Sequence, residues 1–419
     1  MHVESAGGPL TPARERAWIF GLLIAPSAVV SNGVIQGGVL SYLLSLQGIG
    51  SGVQSHLIGL LALPTSLYFL WSPLTDFLVR RRTWLLGAGV FAAALMLSCF
   101  ERPQLTSGGA LVLMFLSACC GQLVVSSTGG IMGALRSDAV RRVAGSFYQA
   151  GSMGFGALSA SLLVFLSSRV SQHVLGLTAA ALIGLPALAA FAAPLQEEIS
   201  TSAFRVTMRR IGGEFKATFL RWDALPYIAC MTLPFASGAA VGLLPGVAGQ
   251  YGVDGDHVAW VNGLLGAFLM AAGSGAMSLV RCRIRAPVLY LIVALVNCAC
   301  LTVLWLGPMS PPTYYTGVML YLLTVGSCYA MFTAVVLEFL GASGKSGSAR
   351  YSIINSLGNI PVLYMLQVDG WGGDHWGGRG MAAAEAVVGG VGALALLACF
   401  LIRAPAPTRI ASESAPATA

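Results

Sequence analysis

Charge is scarce in this sequence. Only 9% of its 419 residues are Asp, Glu, Lys or Arg, against about 25% in a soluble domain. With 56% of residues hydrophobic, a water-facing surface cannot be assembled. Most of the outer surface must therefore meet a lipid bilayer. Acids are the scarcer sign, 16 against 23 Lys and Arg, which leaves a net charge of +7. Such an excess suggests nucleic acid only where basic and aromatic residues share a polar face. Here the basic residues fall in short gaps between apolar runs, so no nucleic-acid partner is expected.

Chemical motifs are lacking too. "GASGKSGSAR", Gly341 to Arg350, has the glycines and lysine of a phosphate loop but not its spacing, and no strand precedes it. There is no hydrolase nucleophile elbow. Eight of the nine cysteines (Cys99, Cys119, Cys120, Cys230, Cys298, Cys300, Cys328 and Cys399) lie inside apolar runs, and Cys282 lies in a loop. None forms a C-x-x-C pair near histidines, so they read as small packing residues. No cofactor and no metal are expected, and the chain does not read as an enzyme.

What is present is a series of apolar runs, each about the 20 residues that span a bilayer. They cover 17–46, 55–78, 84–100, 108–133, 143–166 and 174–193, then 224–249, 257–280, 287–307, 313–340, 350–368 and 381–402. The first run is too long for the apolar core of a signal peptide and reads as a membrane helix. The expected fold is an all-α membrane protein of twelve transmembrane helices in two six-helix bundles, 17–193 and 224–402. The flanking parts are an N-terminal tail 1–16, a connector 194–223 and a Pro/Ala/Ser-rich tail 403–419. Spaced apolar residues in the connector, Phe204, Met208, Ile211, Phe215 and Phe219, suggest a helix along the membrane surface or a solvated linker.

The basic residues fix an orientation. Twelve spans put both termini and the connector on one side, together with Arg80, Arg81, Arg82, Arg136, Arg141, Arg142, Arg281, Arg283 and Arg285. Twenty of the 23 Lys and Arg fall on that side, leaving Arg102, Arg169 and Arg379 opposite. Lys and Arg favour the cytoplasmic side. The expectation is a multi-pass protein of a bacterial inner membrane with both termini cytoplasmic.

The halves repeat weakly. Runs two and eight each end in a basic loop, and aligning runs five and eleven sets Gln149 opposite Asn355. Two related halves are a transporter plan. This plan resembles the major facilitator superfamily. Within it, "GLLALPTSLYFLWSPLTD", Gly59 to Asp76, resembles the second helix of the AmpG-type muropeptide permeases, whose relatives include acetyl-CoA and siderophore transporters. Leu63, Pro64, Phe69, Leu70, Trp71, Pro73, Leu74, Asp76 and Trp84 carry the likeness. The sequence departs from that pattern where Tyr68 replaces a lysine and where Gly129 and Gly133 replace two aspartates. The resemblance implies a secondary transporter of a small organic solute, driven by protons, acting as a monomer, with a muropeptide-like or siderophore-like substrate. The missing charges keep open a non-transporting membrane sensor or scaffold that retains the fold.

The candidate residues follow. Polar side chains within apolar helices face the bundle interior or a watery cavity. Asn32 and Gln36, four apart on one helix face, and Asn355 and Asn359, with the same spacing, lead the set. Tyr68, Gln122, Tyr148, Gln149, Asn262, Asn297 and Tyr329 complete it. Each is either cavity lining or helix–helix hydrogen bonding. Asp76 with Arg80, Arg81 and Arg82, joined by Asp138 and Arg141, resembles the superfamily's cytoplasmic gate; its second-half counterpart has Leu279 in place of the acid. Glu385 is the first candidate for proton binding, with Glu338 and His56 behind it; Glu338 is expected to cap a helix or pair with Lys345 or Arg350. "DGWGGDHWGGRG", Asp369 to Gly380, reads as an outer loop with an interfacial aromatic belt.

Overall fold

A computed structural model describes residues 17–71, 74–76, 79–133, 135, 138–193, 209, 213, 216, 219–220, 222–280, 284–341, 354 and 356–402. Most of the connector and both tails therefore lie outside the described residues. Among the described residues nine helices are long and apolar enough to cross a membrane. Three further spans come from helices that the backbone interrupts, which restores the twelve expected.

The first half comprises α1 (Ile19–Leu46), α2 (Ser51–Ser66), α3 (Arg81–Phe100), α4 (Gly108–Gly133), α5 (Asp138–Ser167) and α6 (Gln172–Ala187). In the second half α7 is in two pieces, Leu225–Thr232 and Ala240–Val247. It is followed by α8 (Gly255–Met277), α9 (Ala286–Leu306) and α10 (Pro311–Gly341). The helix Ile360–Ile402 breaks at Trp376 and Gly377, where φ reaches −135° and +64°. It thus forms two antiparallel spans, α11 (360–375) and α12 (378–402). The run expected to be an outer loop from Asp369 is therefore helical up to this turn. Gly377 supplies the positive φ that closes it.

Each interruption has a local cause. α1 unwinds at Gly37–Gly38, and Gly38 has φ +93°. α2 stops at Ser66, resumes as Tyr68–Trp71, and ends in a single turn Leu74–Asp76. α7 is broken over Leu233–Ala239, where Pro234 removes a backbone donor and Ala236 and Gly238 take φ +53° and +71°. A positive φ at alanine is uncommon and costs backbone energy. Two stretches, Val29–Ile35 in α1 and Ala259–Leu265 in α8, wind as π-helix. Such bulges cluster at functional sites, and each holds one asparagine, Asn32 or Asn262.

Within the halves, α3 packs on α4 and α6, and α9 packs on α10 and on the α11–α12 pair. The halves meet along α2 against α11, α5 against α8, and the end of α1 against the second piece of α7. These contacts enclose the cavity described next.

Candidate functional site

A cavity of about 350 Å³ lies between the halves. Asn32 and Gln36 reach it from α1, Asn262 from the α8 π-turn and Asn359 from the start of α11. Tyr329, Phe332 and Tyr290 supply rings, and the broken stretch of α7 contributes Phe235 to Gly238. No charged residue lines it among the described residues. Carboxamides both donate and accept hydrogen bonds, so the wall suits an uncharged solute carrying hydroxyls or ring nitrogens.

Two of the asparagines are held in place by partners on neighbouring helices. Asn32 Nδ2 donates to Ser152 Oγ on α5 at 3.1 Å. Asn262 Oδ1 accepts from the buried Tyr314 hydroxyl at 2.9 Å, leaving its amide nitrogen for the cavity. A smaller recess of about 160 Å³ adjoins the cavity, shares Met153, Tyr329 and Phe332 with it, and brings in Gln149.

Other expected lining residues sit elsewhere. Asn297 is buried between α9 and α10, donating to Thr324 Oγ1 at 2.8 Å. Gln122 is buried behind the wall and donates to Thr65 Oγ1, which does line the cavity, at 3.0 Å. Tyr68 lies beside Gly129 of α4, outside the lining. Tyr148 is half-buried against the core of the first half. Asn355 falls outside the described residues. His56 is exposed on α2, away from the cavity.

At the basic end, Arg81 lies against Gly130 of α4, and Arg82 donates to the Phe191 carbonyl after α6, two contacts made within the first half. Arg80 is exposed. The side chains of Asp76, Asp138 and Arg141 lie outside the described residues. In the second half Glu338 accepts from Tyr227 OH at 2.8 Å and from the Ala286 N–H at the start of α9 at 3.1 Å, and pairs with Arg285 at 3.4 Å. It thus caps α9 and pairs with Arg285; its expected partners Lys345 and Arg350 lie outside the described residues.

The opposite, distal end is closed by two latches that sequence reading missed. Arg169, just after α5, forms a two-armed pair with Asp256 in the first turn of α8, at 2.7 and 2.6 Å. Asp374 near the end of α11 accepts from the Gly52 N–H in the first turn of α2 at 2.7 Å. A carboxylate at a helix N-terminus is favourable. In the two-halves correspondence α5 matches α11 and α2 matches α8, so the latches are counterparts. Beside them Asp254 is held below the usual carboxylate range by the His257 backbone N–H and then by the His257 ring. The Arg169–Asp256 pair is 40% and 50% exposed, so solvent weakens it. Arg169→Asp is expected to lower thermal stability only slightly. The swap Arg169→Asp with Asp256→Arg should restore it, measured as the melting temperature in detergent; failure of the swap would show that the pair is not a latch.

The arrangement of two six-helix halves around a central polar cavity is the major facilitator fold. The chain is similar in structure to the nucleoside transporter NupG, in a mutant crystal structure, with TM-score 0.68 and 12% identity over 93% of this chain and 99% of that one. It is also similar to a D-xylose–proton symporter, with TM-score 0.64 and 13% identity over 91% of this chain and 96% of that one. No family model and no curated protein sequence matches the chain.

Proposed function

We propose that this protein is a secondary active transporter that moves an uncharged, hydroxyl- or ring-nitrogen-bearing solute of sugar or nucleoside size across a bacterial inner membrane. The observation that carries this is the uncharged cavity between the halves, walled by four carboxamides and several aromatic rings. A muropeptide-like or siderophore-like substrate, which the α2 resemblance implies, fits less well. A wall-fragment peptide brings carboxylates, and the described lining offers no cation to meet them. The structural neighbours named for a nucleoside and for D-xylose lend support to the uncharged class. One chain holds both halves and the whole cavity, so a monomer suffices. Alternating access proceeds by release of the distal latches while the basic end closes, with Arg80 to Arg82, Asp76, Asp138 and Arg141 as the gate there. A proton gradient supplies the drive, and both termini face the cytoplasm.

The test is counterflow of labelled pentoses, hexoses and nucleosides in proteoliposomes. A transporter exchanges one of these labels, and exchange of none across the panel would favour the sensor or scaffold. For the solute that exchanges, Asn262→Ala and Asn32→Ala should each raise KM by roughly 5- to 100-fold, the loss of one or two hydrogen bonds in a desolvated site. Asn297→Ala, outside the cavity, should leave KM unchanged.

A further inference from the structure

Two acids are buried together behind the cavity wall. Asp369 on α11 is 0% exposed and Glu385 on α12 is 3% exposed. Their helices pack closely at this level, since a Cβ on Gly372 of α11 would lie 3.0 Å from Ala384 of α12, and the two carboxyls are near enough to interact. Glu385 Oε1 accepts from Ser237 Oγ at 2.8 Å and from Tyr321 OH of α10 at 3.3 Å. Both Asp369 oxygens and Glu385 Oε2 have no hydrogen-bond partner among the described residues. The other titratable groups near Glu385 are Cys298 on α9, Cys328 and Tyr329 on α10 and Tyr364 on α11, thiols and phenols that cannot carry a positive charge. No Lys, Arg or His faces the pair among the described residues. Arg379, at the start of α12, is turned away to the Gly307 carbonyl at 2.6 Å.

Two buried carboxylates without a cation cannot both stay ionised. The orphaned oxygens need a hydrogen, and a proton shared between the acids supplies it. The neighbours link this proton to moving parts. Ser237 lies in the broken stretch of α7 and lines the cavity while its hydroxyl holds Glu385. The same Oγ accepts from the Ala239 N–H at 3.1 Å, where the second piece of α7 begins. On the other side, Gly370, next to Asp369, packs on Ser55 of α2, and Gln367 donates to the Ser55 carbonyl at 3.3 Å. The acids therefore sit between the α7 break and the α2–α11 seam that must open at the distal end.

We propose that Asp369 and Glu385 form the coupling-proton site of this transporter and that Ser237 transmits its charge state to the break in α7. With the proton bound, the pair carries at most one negative charge and the distal end stays latched. On release, the O–H bond breaks, the proton passes to water in the cavity, and its electron pair remains on the carboxylate. The two like charges then repel, α11 and α12 part at the level of the acids, and the Ser237 hydroxyl follows Glu385. The proposal deepens the transport reading and rests on it, but its test needs no solute.

The test uses infrared difference spectroscopy of the purified full chain in lipid, titrated with acid and base, the proton being the only probe. The wild type should lose a protonated-carboxyl C=O band as pH rises. Asp369→Asn and Glu385→Gln should each move the midpoint by roughly one pH unit or more, and the double variant should abolish the band. Hydrogen exchange of the peptide over Leu233–Ala239, normalised for the intrinsic pH dependence of exchange, should step at the wild-type midpoint. Ser237→Ala should keep the band and lose the step. The proposal is overturned if the wild type shows no titrating band, or if both single variants keep the wild-type midpoint. It is also overturned if added sodium removes the band at constant pH, since the site would then take a metal cation, or if the exchange step is missing. A failure here leaves the counterflow result standing, and absence of counterflow leaves the titration standing.

Discussion

Gly38→Ala is expected to leave the chain folded and to cut the proposed transport roughly 5- to 150-fold, because it disfavours the state in which the halves meet at the distal end. Gly38 has φ +93°, and a Cβ there would lie 2.3 Å from Pro245 Cγ and 2.9 Å from Cδ. Two costs result, and they differ in state dependence. The left-handed backbone costs alanine about 1–2 kcal/mol in any state that keeps this turn. The overlap with Pro245 exists only where α1 meets the second piece of α7 across the two halves. Overpacking of this kind costs about 1–3 kcal/mol, which shifts a two-state equilibrium by roughly 5- to 150-fold. Gly252→Ala separates the two: its φ is +73°, yet its nearest neighbour, Pro311, is 3.8 Å away. The control should lose stability and keep transport. Counterflow rates, with hydrogen exchange of the distal helix ends, measure both. A Gly38→Ala rate equal to wild type would mean that this contact does not close the distal end.

The same glycine shows what the sequence could and could not say. Twelve apolar runs were legible because lipid forces each span to satisfy its backbone internally, so length and hydropathy suffice. The breaks were less legible. Gly37–Gly38 and Pro234 are visible as residues, but which backbone they meet is settled by the opposite half. Helices that are apolar all round also hide their rotation. Asn32 and Asn297 look alike in sequence, yet one faces the cavity and the other Thr324. Asp369 was misplaced for a physical reason: the Gly- and Trp-rich stretch after it ends the apolar run, while the helix continues to Trp376. A signal did exist, since a lone acid beside the last apolar residue of a span is costly unless it has a use. The latches were invisible because Arg169 and Asp256 lie 87 positions apart in the chain. Only the pairing of α5 with α8 brings them together.

The other large effect is expected at the crossing of α8 and α10. Gly326→Leu should prevent accumulation of folded protein. Gly273 and Gly326 face each other's helices so closely that a Cβ would lie 1.8 Å from the Leu323 carbonyl oxygen and 2.0 Å from the Met270 carbonyl oxygen. Those obstacles are backbone, which cannot turn aside as a side-chain tip can. Each glycine is followed by a serine that bonds across: Ser274 Oγ donates to the Gly326 carbonyl at 2.8 Å, and Ser327 Oγ donates to the Gly273 carbonyl at 3.1 Å. The glycines permit the approach and the serines hold it. In lipid, where water does not push helices together, such close packing and bonding drive association. Leucine at 326 forces the axes apart and breaks both bonds at once, whereas Ser274→Ala and Ser327→Ala each remove one, worth about 0.6 kcal/mol and at most about 1.7 kcal/mol. Monodisperse yield in detergent should therefore vanish for Gly326→Leu and drop slightly for either serine variant, with Gly87→Leu on α3, where a Cβ would meet nothing within 4 Å, near wild type. Normal yield of Gly326→Leu would mean that α8 and α10 do not pack at this distance, and Tyr321 and Tyr329 of α10 would then lose their positions beside Glu385 and the cavity.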